Sequence, residues 1–145
     1  MENLGGIENA TEEREKNEIV SITEEKSRRK RFCCWTVGGR EYRLKLKASA
    51  INRLENKYRK NMMNVLLDDG MPPLSVMLTT IQTAMEPWEH GVSYSDVEKL
   101  YDRWEEKEDG NQMELFTDII VPLMTVSGFF TPKQAQEILE NIQKK

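Results

Sequence analysis

The chain has 145 residues, of which 38% are hydrophobic and 32% charged, with a formal net charge of −4 and a pI near 5.2. That length suits one domain, and the acidic excess disfavours broad nucleic-acid or membrane binding, which draws on a basic face. No apolar run approaches the roughly 18–20 residues of a membrane span, and Met1–Gly6 lacks the basic and then apolar order of a secretory signal.

Residues 1–27 carry eight acidic and three basic side chains and few aromatics. Such a composition predicts a disordered acidic arm, with Ile19, Val20 and Ile22 as a small apolar anchor for a short helix over 11–22. The arm ends at residue 31 with the basic run Arg28–Arg31, which reads as a solvated charge run or as a nucleic-acid contact. Residues 32–145 form the remaining domain.

Phe32–Val37 is aromatic and β-branched. Gly38-Gly39 follows it, and Tyr42–Lys47 alternates apolar with cationic residues. Two such runs across a Gly-Gly turn predict a β-hairpin with Tyr42, Leu44 and Leu46 on one face and Arg43, Lys45 and Lys47 on the other. An isolated hairpin is marginal, so the apolar face must rest on something.

From Ala48 the period becomes helical. Ile51, Leu54 and Tyr58 mark a first helix with Ser49 as a candidate cap. Met62, Val65 and Leu66 mark a second after Asn61, stopped by Asp68-Asp69-Gly70. Met71-Pro72-Pro73 forms a rigid lead-in to a third helix, proline being suited to the first helical position, and Leu74, Met77, Leu78, Ile81 and Met85 give it an apolar stripe. Pro87 and Gly91 break that helix. Ser93 with Asp96 makes a variant capping box for a helix striped by Tyr94, Val97, Tyr101 and Trp104 and ended by Asp109-Gly110. Over residues 112–127 the spacing turns Met113, Phe116, Ile119, Ile120, Leu123 and Met124 inward, and Pro122 predicts a kink. Gly128 stops the helix. Thr131-Pro132-Lys133-Gln134 then starts a last one, whose buried stripe is Ala135, Ile138, Leu139 and Ile142. The expected fold is mainly α with a small N-terminal β-hairpin, a compact bundle of five to six short helices without internal repeats.

Residues for chemistry are sparse. The single histidine, His90, sits in a loop, and two cysteines in a distant strand do not complete a metal set. Cys33 and Cys34 are neighbours and poorly placed to bridge each other, which fits a reducing compartment. In an apolar strand they read as small buried hydrophobes rather than as partners of a Cys–His nucleophile. The carboxylates at Asp68-Asp69, Glu105-Glu106 and Glu108-Asp109 cluster at helix ends or turns without a nuclease or glycosidase motif. No catalytic, cofactor or metal residue is assigned, and the chain is not expected to be an enzyme.

Seven of the eight methionines are internal. Methionine fills irregular core space and also serves surfaces that accept varied partners. Met77, Met85 and Met124 fall on core stripes. Met62, Met63 and Met71 flank turns and are expected on an exposed, adaptable patch, while Trp88 and Trp104 are candidate core or interface anchors.

Several words between Tyr42 and Thr131 carry a resemblance: Tyr42-Arg43-Leu44-Lys45-Leu46 with Ala48-Ser49-Ala50-Ile51; Gly70-Met71-Pro72-Pro73-Leu74-Ser75-Val76-Met77-Leu78; Leu100-Tyr101-Asp102-Arg103; and Val126-Ser127-Gly128-Phe129-Phe130. Over about 60% of its length the chain resembles tail assembly chaperones of tailed phages and prophages of Gram-positive bacteria. The resemblance implies a protein of the bacterial host cytoplasm that is missing from the mature virion. It would bind the tape-measure protein, keep it soluble and give way as tail-tube subunits polymerise, with the tail-tube protein and self-association as further contacts. The resemblance assigns no site residues; the methionine-rich turns suggest Met62, Met63, Met71, Leu74 and Trp88 as partner-binding residues in a groove for apolar helices. Two alternatives stay open: a structural tail or head–tail completion protein, and a small nucleic-acid-binding regulator using Arg28–Arg31 with the cationic hairpin face.

Overall fold

The computed structural model of the chain describes residues 30–68 and 70–143. Contacts divide the chain into two units, residues 1–30 and 31–145. The acidic arm and the helix expected within it lie outside the described residues. At the arm's end, Lys30 and Arg31 are described, and both are exposed.

The second unit begins with strands β1 (Cys33–Val37) and β2 (Arg40–Leu44), paired antiparallel with Trp35 opposite Tyr42 and Val37 opposite Arg40. Gly38 and Gly39 turn the chain at φ of 60° and 81°, the left-handed values that a tight two-residue hairpin requires and that side chains resist. Alternation then sends Cys33, Trp35 and Val37 to one face, where Trp35 and Val37 are buried. The ladder ends at Leu44, three residues before the expected limit. Lys45 and Leu46 leave it to bond elsewhere: the Lys45 N–H donates to the Ala84 carbonyl at 3.1 Å and the Leu46 N–H to Ser127 Oγ at 2.9 Å. Leu46 stays buried, and Lys45 is half-buried. Its Nζ donates to the Val126 carbonyl at 2.6 Å.

Among the described residues seven α-helical segments follow. In α1 (Ala48–Tyr58) the capping position is Lys47, not Ser49, and no side chain caps it. In α2 (Met62–Leu67) the Asn61 side chain accepts the Asn64 N–H, the local bond for which Asn is favoured at this position. Helix α3 (Leu74–Met85) starts after both prolines, with Pro73 as the cap rather than a proline at the first helical position. In α4 (Tyr94–Glu108) the full Ser93/Asp96 capping box forms.

The stretch expected as one kinked helix is built in three parts: α5 (Gln112–Glu114), a π-helical segment (Leu115–Ile120) and α6 (Val121–Val126). Buried pairs recur at four-residue steps here, Leu115/Phe116, Ile119/Ile120 and Leu123/Met124. At about 100° per residue an α-helix would drift by about 40° per such step; the wider π turn reduces the drift. This phase change corrects one expectation. Leu115 is buried, whereas Met113, placed inward by α-helical spacing, is 49% exposed. Thr131 and Gln134 cap α7 (Pro132–Gln143) reciprocally, at 3.1 and 2.8 Å.

The hairpin rests its apolar face on α3 and α4. Trp35 meets Trp104 edge-to-face at 5.8 Å, a favoured aromatic geometry. Below the turn, the Gly38 N–H donates to Glu108 Oε1 at 2.9 Å, and the Arg103 guanidinium packs so close that a Cβ on Gly38 would lie 2.6 Å away. The core is continuous from the hairpin through α3, α4 and the α5–α6 rod. Among the described residues, no helix is long and apolar enough to cross a membrane.

Candidate functional site

The five residues expected to bind a partner differ in burial. Met62 is 0% exposed and belongs to the core, which corrects its place on an exposed surface. The Glu55 carboxylate accepts the Met62 N–H at 2.9 Å, which ties the start of α2 to α1. Met63 and Leu74 are half-buried against the same core. Trp88 is half-buried as well, its ring 5.6 Å from Phe32. Met71 alone of the five is exposed, at 39%.

Met71 lines a groove of about 460 Å³ built by three stretches: Leu67, Asp68, Gly70 and Met71 after α2; Met113 and Phe116 of the rod; and Ile138, Asn141 and Ile142 of α7. Phe116 is buried and forms part of the floor, while Met71 and Met113 stand at the surface as the two exposed large hydrophobics of the described residues. The volume falls within the range of about 300–1,000 Å³ typical of ligand pockets. The prolines at 72 and 73 hold Met71 on a short rigid segment, since each fixes its own φ and restricts the residue before it.

Sequence reading missed Leu67, Met113, Phe116, Ile138 and Ile142 as a joint surface. Ile138 and Ile142 read as buried stripe, yet both are only half-buried. One signal was present for Met113: it follows Asn111, whose side chain caps the rod, and the first turn of a capped helix tends to project beyond the core.

A polar cleft of about 310 Å³ opens elsewhere, lined by Lys45, Lys47, Ser49, Ala50, Arg53, Thr83, Glu86, Pro87 and His90. Its cations are partly engaged, Lys45 with the Val126 carbonyl and Arg53 with Glu86 at 2.5 Å. The hairpin's arginines also have local partners. Arg40 pairs with Glu89 at 2.7 Å and lies over the Tyr42 ring, and Arg43 lies over Phe32.

Burial, and then the charge of neighbouring Cys34, push the Cys33 thiol up to about 12. A thiol held protonated is a poor nucleophile. Among the described residues, no cluster of three or more His, Cys, Asp or Glu could hold a metal ion.

The sequence matches no protein-family model, no curated protein and no solved structure. The words that carry the resemblance to tail assembly chaperones occupy β2, the start of α1, the lead-in to α3, the middle of α4 and the end of α6. They hold mostly structural positions, such as Leu44, Leu46 and Arg103. Gly70 and Met71 are groove residues among them.

Proposed function

We propose that the protein is a tail assembly chaperone of the kind its sequence words resemble, and that it binds an apolar helical segment of the tape-measure protein in the groove between α2, the rod and α7. The observation that carries this reading is the pairing of Met71 and Met113, the two exposed large hydrophobics, at the lips of one apolar groove. An amphipathic helix laid in such a groove inserts side chains spaced by three or four residues, and flexible thioethers adapt to different ones.

Each apolar side chain buried contributes about 1.5–3 kcal/mol, against association costs of about 4–15 kcal/mol. A groove holding a few such side chains therefore binds reversibly. Reversibility suits a chaperone, which must give way when tail-tube subunits close around the tape measure. Nothing in this action requires a catalytic group. The site of action is the host cytoplasm, and the finished virion does not retain the protein.

The test is co-expression with the tape-measure protein encoded beside it. The tape measure should become soluble and co-purify, and Met71→Asp with Met113→Asp should abolish co-purification while the chaperone's own circular dichroism is unchanged. A tape measure that stays insoluble overturns the proposal, as does stoichiometric presence of this chain in purified virions.

A further inference from the structure

We draw no further inference here: the strongest candidate, the apolar groove between α2, the rod and α7, belongs to the site already described, and nothing in the structure shows what covers it.

Discussion

Ser127 and Leu46, 81 positions apart, are joined by a hydrogen bond in which the Leu46 N–H donates to Ser127 Oγ at 2.9 Å. The bond takes up a backbone donor just after β2, where the hairpin ladder has ended. Leu46 is buried, so water is a poor substitute. Ser127→Ala is expected to cost about 1–3 kcal/mol, the penalty for stranding a buried donor, read as a lower urea midpoint at unchanged m-value.

Gly110 and Gly39 should respond differently to alanine. A Cβ on Gly110 would lie 2.4 Å from the Trp104 ring, whereas Gly39 has open space around it but a φ of +81°. Gly110→Ala must displace the Trp104 ring and with it the contact to Trp35, at about 1–3 kcal/mol for overpacking. Gly39→Ala costs about 1–2 kcal/mol in backbone strain. Near-ultraviolet circular dichroism of the tryptophans is expected to change in the first variant and not in the second.

The two turn-flanking methionines at 62 and 71 should also separate. Met62 has no exposed surface, and Met62→Ala is expected to cost about 2–5 kcal/mol by leaving a cavity. Met71→Ala removes an exposed side chain and should stay within about 0.5 kcal/mol. Thermal unfolding of the two variants side by side tests this, and equal losses would contradict the placement of Met71 at the surface.

The Cys33 thiol links stability to alkaline pH. Its value is raised from an ordinary 9.0 to about 12, so the folded state resists its ionisation. The contribution is complete below about pH 9 and is lost as pH rises from there towards 12, because the unfolded chain releases the proton first. Between pH 9 and 11 the urea midpoint of the native chain should fall more steeply than that of Cys33→Val, which subtracts the titration of tyrosines and lysines. At pH 8, Cys33 should react with iodoacetamide far more slowly in the folded protein than in urea.

The hairpin and the helices were readable because each is signalled locally. Gly38-Gly39 sits between alternating runs, Asn61 and Ser93 stand before apolar stripes, and Thr131 with Gln134 spells a capping box. Two things were not readable. The phase of the rod depends on π-helical turns over 115–120, which exchange the places of Met113 and Leu115, and no local periodicity announces the change. The groove unites Leu67, Asp68, Gly70 and Met71 with Met113, Phe116, Ile138, Asn141 and Ile142, which are distant along the chain, so its existence depends on tertiary packing. The turn before Met71 marks it in the sequence as a surface residue. Met62, which also follows a turn, lies in the core at the start of α2, where the Glu55 carboxylate accepts its N–H.

The π-helical segment also says where this chain can be shortened. A π turn holds one residue more than the α-helical turn it replaces. Excising Thr117, a half-exposed residue of that segment, should let the rod revert to α-helix with the faces before and after the cut still pointing as they do now. Excising Gln82 from α3 offers no such refuge. Everything beyond it would rotate by about 100°, and Thr83, Ala84 and Met85 would swing out of the core. The first deletion is expected to yield a folded protein and the second an insoluble one, so that length is negotiable in one helix and fixed in the other.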